Sequence, residues 1–156
     1  MSVRIAGQSD ALDLARLNEP VQNLHAKLYP ADFRSDADHT TIAEFFSGII
    51  ADDRNTIGIS EVSGNSAGYL WFELRDRAGT PFSRPLRQIW IHHLSVLETA
   101  RRQGVASGLM RWAEDRARSL GVSELILDHW VDNVEARAFF DKQGFTPLRV
   151  IARKEL

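Results

Sequence analysis

The stretch from Leu86 to Val131 constrains this chain most. Leu86 to Val96 carries the pattern of a long strand, Gly104 to Leu120 has helical spacing, and Glu124 to Val131 reads as another strand. That succession is a βαβ unit, so two parallel strands share a sheet and the intervening helix packs on its face. Within the helix, Val105, Leu109, Ala113, Ala117 and Leu120 recur every three to four residues, while Arg111, Glu114, Asp115 and Arg118 fall elsewhere. Gly121 supplies its C-terminal stop. Glu114 and Arg118, four apart, form an exposed pair of small energetic value.

The rest of the chain adds elements around that unit. Val3 to Ala6 alternates as a short first strand. Ser9 or Asp10 then caps a helix carrying Leu12, Leu14, Ala15 and Leu17, which Pro20 is expected to interrupt before helical spacing resumes over Val21 to Leu28. Leu28 to Phe33 is a loop with an aromatic at each end, suited to cover a pocket. Thr40 to Ile50 reads as a second helix, capped by Thr40 or Thr41. Thr56 to Val62 and Ala67 to Arg75 flank the turn-forming Ser63-Gly64-Asn65-Ser66, which predicts an antiparallel hairpin. A loop over Arg77 to Pro85 leads into the long strand. Asp132 or Asn133 starts a last helix with Ala136, Phe139 and Phe140 inward, Gly144-Phe145 ends it, and Leu148 to Ala152 closes the chain as a strand. The expected order is β-α-α-β-β-β-α-β-α-β, an α/β fold with a mixed sheet and helices on both faces, residues 1–156 forming one domain.

Composition narrows the function classes. Apolar residues make up 44% and charged residues 26% of 156, which supports a packed core rather than disorder. The formal charge of -2 and the scatter of basic residues leave no electrostatic footprint for nucleic acid. The absence of cysteine excludes disulfides, thiolate metal sites and a cysteine nucleophile, and no metal site is expected. With no bilayer-length apolar run and no basic-then-apolar start, the expectation is cytoplasmic residence without membrane attachment.

The chemistry is carried by Arg101-Arg102-Gln103-Gly104-Val105-Ala106, between the long strand and its helix. Successive backbone N–H groups and the positive helix end meet there, which makes an anion site, and Gly104 and Ala106 let a ligand approach the backbone. Two adjacent arginines match a few phosphates on a small ligand. A dinucleotide is the competing ligand, since Asp128 follows Gly108 by twenty residues, but Ala106 and Leu109 occupy the second and third glycine positions of that fingerprint. No Gly-Lys-Ser or Gly-Lys-Thr marks a nucleotide P-loop.

On these residues the chain resembles the GNAT superfamily of N-acetyltransferases, whose cofactor loop runs Arg or Gln, two variable residues, Gly, one variable residue, then Gly or Ala. Arg101, Gly104 and Ala106 fit it. Leu94-Ser95-Val96 upstream, Leu109-Met110 in the helix, Asn133, Ala136 and Phe139 in the last helix, and Gly144-Phe145 follow in order. The resemblance implies an acetyl-CoA site, with the pyrophosphate on the backbone of Arg102, Gln103, Gly104, Val105, Ala106 and Ser107. It also implies that the pantetheine arm pairs with Leu94 to Val96 and contacts Asn133, for which helix capping is the alternative role.

Direct transfer to an amine of a small molecule or peptide is the implied reaction, and such an amine must first lose a proton. In the superfamily the group that takes it often matches Trp90 or His92. His92 is the first choice, since an imidazole can accept a proton near neutral pH. Glu73, on the preceding strand, is the alternative. Trp90 is expected to be core. Alternation places Trp90, His92, Leu94 and Val96 on one face and Ile91, His93 and Ser95 on the other. Tyr29, Phe33, Tyr69 and Glu73 are candidates to line the acceptor pocket. Phe140 stands near the thioester where the superfamily commonly has a proton-donating tyrosine. That departure keeps a second expectation in play, a catalytically degenerate acyl-CoA-binding sensor or interaction domain, and homodimerisation is open in either case.

Overall fold

The computed structural model describes residues 1–155. Five strands form one sheet in the order β1-β2-β3-β4-β5: β1 Ser2–Ile5, β2 Asn55–Val62, β3 Asn65–Arg77, β4 Leu86–Val96 and β5 Leu125–Leu127. The first three junctions are antiparallel and β4 pairs with β5 in parallel. The helices are α1 Ala11–Leu28, α2 His39–Ile50, α3 Val105–Ser119 and α4 Val134–Lys142. The mixed α/β fold is therefore as expected from the sequence.

Strand alternation divides the core in two. Leu70, Phe72, Ile89 and Ile91 face α3 and α4, where Val105, Leu109, Met110, Ala113, Ala117 and Phe140 pack against them. Ile57, Ile59, Tyr69 and Trp71 face the other way, onto Leu14 and Leu17 of α1 and Phe46 of α2. Both sheet faces are covered, as a parallel pair requires. On the α3 side of β2 a Cβ on Gly58 would fall 2.5 Å from the Trp112 ring, so glycine there permits close helix-to-sheet contact.

Several local expectations are corrected. Pro20 lies inside α1, which runs unbroken to Leu28. A proline deletes one helical hydrogen bond, and the burial of Leu14, Ala15, Leu17 and Asn18 holds the helix together around that loss. Asp38 caps α2, its Oδ1 accepting from Thr41 N at 2.8 Å, in place of Thr40 or Thr41. Asp10 stands at the N-cap of α1, but its carboxylate reaches back to Gly7 N (2.8 Å) and to the Arg4 guanidinium. The hairpin turn is the two-residue Ser63-Gly64, both at positive φ (51° and 79°), with Val62 opposite Asn65. Such a turn matches the twist of its strands.

Two expected strands change more. β5 covers only Leu125–Leu127. Leu148 to Ala152 forms no strand, and Leu148, Val150 and Ile151 are 73%, 91% and 77% exposed. A strand pattern without a paired neighbour has nothing to satisfy its backbone except water.

The strict alternation along β4 also fails. Trp71 pairs with His93 and Phe72 with Ile91, which leaves His92 as the extra residue of a β-bulge. Beyond the bulge the faces exchange. Leu94 and Val96 join the α3-side core with Ile89 and Ile91, while His93 and Ser95 turn toward α1.

Candidate active site

The bulge on β4 builds the site. It turns His92 toward the side chains of β3, where Glu73 Oε2 lies 3.0 Å from His92 Nε2. Arg75 Nε donates to the same oxygen at 3.0 Å. The His92 ring stacks on Trp71 with centroids 4.3 Å apart and planes 20° from parallel. Trp71 is fixed in turn by its Nε1–H donating to Asn55 Oδ1 at 2.8 Å. The two alternative proton acceptors of the sequence reading are thus members of one hydrogen-bonded pair.

Burial resists ionisation of Glu73, and the hydrogen bonds from Arg75 and His92 outweigh it, so its carboxyl titrates below the ordinary range. An ionised carboxylate only accepts hydrogen bonds. The proton facing it therefore sits on His92 Nε2, and Nδ1 is left as the acceptor.

His93, next along the strand, is a different group. It is half-buried beside Phe46 and Tyr69, its Nδ1 is 2.9 Å from the Tyr69 hydroxyl, and desolvation of the ring pushes its pKa down to about 4. Tyr69 donates to Asn18 Oδ1 at 2.8 Å, so the His93 Nδ1–H donates to the Tyr69 oxygen. Tyr69 is fully buried, with burial raising its pKa, and so has no exposed surface to offer an acceptor pocket, contrary to expectation.

The second feature is a gap beside β4. β5 pairs only with Ile89, Trp90 and Ile91, and β4 then continues alone on that side to Val96. The strand edge over Leu94, Ser95 and Val96 is left without a β5 neighbour. Ser95 is itself buried, its hydroxyl donating to Leu17 O at 2.6 Å.

At the far end of β4, Arg101, Arg102, Gln103 and Gly104 are exposed and lead into α3. Arg102 and Gly104 have positive φ (60° and 80°), and no side chain caps the first turn formed by Val105, Ala106 and Ser107. A Cβ on Gly104 would meet no protein atom within 4 Å, so the space above it is open to a ligand. A cleft of about 570 Å³ adjoins this loop between Asp13, Arg16, Ala67, Thr99 and Gln103. It lies at the end of β4 away from His92, apart from the hydrogen-bonded pair.

Asn133 caps α4, its Oδ1 accepting from Ala136 N at 3.1 Å. Phe140 lies in the α3-side core, with Phe139 and Phe145 edge-on at 5.5 and 5.7 Å and 9% of its surface exposed. Tyr29 and Phe33 close onto Trp130, in the segment after β5, at 4.2 and 5.2 Å, and Tyr29 donates to Asp132 Oδ2 at 2.6 Å. The aromatic loop thus bridges to the far side of the gap.

Sequence reasoning missed Trp71, Trp130 and Arg75. Arg75 and Trp71 were open to detection by strand period, each two residues from Glu73. Trp90, expected in the core, is half-buried beneath the Arg75 guanidinium, 4.1 Å from its ring centroid. Trp130 had no such signal, since only the folded loop brings it to Tyr29.

Comparison with known proteins identifies the family and the fold. The sequence profile of the acetyltransferase (GNAT) family matches residues 18–145. The uncharacterized N-acetyltransferase YdgE of Bacillus subtilis (strain 168) is 26% identical over 98 residues, which are 63% of this chain and 59% of that protein. A tetramutant of the BH1408 protein from Bacillus halodurans shares the fold at a TM-score of 0.92, with 21% identity and all of both chains covered. The aminoglycoside 6'-N-acetyltransferase AAC(6')-IG from Acinetobacter haemolyticus does so at 0.75, with 18% identity over 100% of this chain and 98% of that one. With the family profile covering most of its length, this chain belongs to the GNAT family of acetyltransferases.

Proposed function

We propose that the protein is an N-acetyltransferase that moves an acetyl group from acetyl-CoA directly to an amine of a small molecule or peptide. The observation that carries this reading is the His92–Glu73 pair, 3.0 Å apart, at the residue where β5 leaves β4. The residues present fit the cofactor. The open space over Gly104, the uncapped first turn of α3 and the free edge of β4 suit a pyrophosphate followed by an extended amide-bearing arm.

Arg101 and Arg102 add positive charge beside the N–H groups of Gln103 to Ser107. Leu94, Ser95 and Val96 offer backbone groups to the arm as a neighbouring strand would. Asn133 has its amide N–H groups left for a contact after its oxygen caps α4. Acetyl-CoA supplies an activated thioester carbonyl. His92 Nδ1 accepts a proton from the acceptor ammonium, and the freed lone pair forms the N–C bond as the C–S electron pair leaves with sulfur. The second nitrogen proton passes through water. Backbone N–H groups near Leu94 to Val96 meet the charge developing on the carbonyl oxygen. Phe140, at the position where the superfamily commonly has a tyrosine, has no proton to give, which leaves the thiolate to depart unprotonated.

Acetyl-CoA binds only the folded chain in this reading, so at a hundredfold excess over its Kd it stabilises by about 2.7 kcal/mol and raises the thermal midpoint. Gly104→Val removes that shift, because the side chain fills the space above the loop. Its φ of 80° also costs the variant roughly 1–2 kcal/mol, which scanning without ligand measures separately. Absence of acetyl-CoA binding to the wild-type chain by calorimetry sinks the proposal. Release of CoA thiol across an amine library completes the test. Binding with no turnover across it would favour the degenerate acyl-CoA-binding reading.

A further inference from the structure

Trp90 sits at the centre of an unbalanced group of charges. The Arg75 guanidinium lies 4.1 Å from its ring centroid, and that of Arg149, from the segment after α4, 5.6 Å. Arg75 commits its Nε to Glu73, which His92 shares. Its two terminal nitrogens, and every donor of Arg149, have no hydrogen-bond partner among the described residues. The nearest acid along the strand, Asp76, is engaged by Arg87 at 3.1 Å. Two guanidiniums thus face one carboxylate.

A guanidinium lying on an indole keeps its N–H edges directed outward in its own plane, the geometry that receives a carboxylate through two parallel hydrogen bonds. The ring holds the cations in place without neutralising them. Their position tells which ligand they serve. Trp90 lies directly across from Glu73 in the β3–β4 ladder, and Glu73 contacts His92. The anion loop begins beyond Val96, and six strand residues at about 3.3 Å each put roughly 20 Å between Trp90 and that end of β4. The pyrophosphate would lie beyond the Val96 end of β4 and the Trp90 cluster near its middle, with His92 on the stretch between them.

We propose that the acceptor carries a carboxylate close to its amine, as an amino acid does, and that Arg75 and Arg149 bind that carboxylate beside Trp90 while His92 faces the nitrogen. This rests on the acetyl-transfer reading of His92. It makes the two arginines specificity residues for a small zwitterionic acceptor.

The test uses the full chain saturated with CoA and the product-like pair N-acetylglycine and N-acetylglycinamide, followed by nitrogen–proton correlation spectra. The four tryptophan indole signals are assigned by substitution. The expected result is a saturable shift of the Trp90 indole and arginine Nε–H signals with the carboxylate at millimolar concentration. The amide should bind at least about tenfold more weakly, the ratio that loss of a charged hydrogen bond carries. Arg149→Ala, at an exposed position, should abolish the preference, and Arg75→Lys should weaken it by removing the fork. Equal shifts from the amide, or no saturable shift from the carboxylate, overturn the proposal. Tighter binding of N-acetylaminomethylphosphonate overturns the carboxylate assignment. Acetyl-CoA titration of the same samples keeps the two readings apart. Failure of cofactor binding sinks the acetyltransferase reading, whereas intact cofactor binding with an indifferent Trp90 sinks this one alone.

Discussion

His92 is held by two contacts and a backbone bulge, which act on different properties of the ring. Stacking on Trp71 fixes its plane, Glu73 fixes its tautomer, and the bulge fixes the side of the strand from which it projects. If Nδ1 takes the amine proton in the limiting step, His92→Ala lowers turnover by roughly 10² or more. Acetyl-CoA affinity, read by calorimetry, should be unchanged, and the deficit should narrow as pH rises and the amine deprotonates unaided. A full rate in His92→Ala with a large loss in Glu73→Gln would transfer the role to Glu73. Phe140 sets a second test. A departing thiolate whose conjugate acid has a pKa of about 8.5 is a tolerable leaving group, so protonating it gains little. Phe140→Tyr should therefore change turnover less than about tenfold, well under the general-acid range. The new hydroxyl enters the cluster of Phe139 and Phe145, and leaving it unpaired costs roughly 1–3 kcal/mol, visible as a lower thermal midpoint. A rate gain near 10² would show instead that thiolate expulsion is limiting.

At the scale of elements, the gap beside β4 depends on how β4 is held from its other side. Gly68 of β3 pairs with Val96, and a Cβ there would stand 2.5 Å from the Ser95 carbonyl oxygen and 3.1 Å from Val96 Cα. Both are backbone atoms and cannot swing away. Gly68→Ala must displace the end of β4, with an overpacking cost of roughly 1–3 kcal/mol. Because Leu94 to Val96 are the proposed seat of the cofactor arm, acetyl-CoA affinity should fall together with stability in urea titration. A destabilised variant with unchanged affinity would show that the arm does not lie on that edge. The α1–α2 connection acts from across the gap, tied through Tyr29 and Phe33 to Trp130 and through Asp32 to Arg153 at 2.8 Å.

Over the whole molecule, pH enters through His93. His93 has a folded pKa of about 4 against roughly 6.5 for an unfolded imidazole. Between those values the unfolded chain binds a proton that the folded chain refuses. Stability therefore falls as pH drops from about 6.5 to about 4, by on the order of 3 kcal/mol in total. His25, half-buried and shifted the same way, adds to the slope. Glu73 acts in a lower window. Its depressed pKa contributes stability above the unfolded carboxyl value, and that is lost only as pH falls through the folded one. Urea titrations from pH 7 to pH 4.5 should show the decline, and His93→Phe should flatten it whatever its own stability, since Tyr69 keeps Asn18 as its partner. An equal slope in that variant would mean that His93 is not the titrating group.

The sequence by itself determined what depends on neighbours along the chain. The limits of β4, the amphipathic α3 with its Gly121 stop, and the glycine turn at Gly104 ahead of it were legible because period, glycine chemistry and helix ends are local properties. So was the resemblance that the family match bears out. Tertiary structure decided the rest. Pro20 stays helical because α1 is buried, and Leu148 to Ala152 forms no strand because no strand lies alongside it. The bulge at His92 is the consequential case. Alternation put His92 with Leu94 and Val96, but an extra residue in a strand is defined only against its partner. That register carries His92 over to Trp71 and Glu73 and sends Leu94 and Val96 to the α3 core. A side chain's face is a property of the strand pair, and one strand's sequence cannot encode it alone.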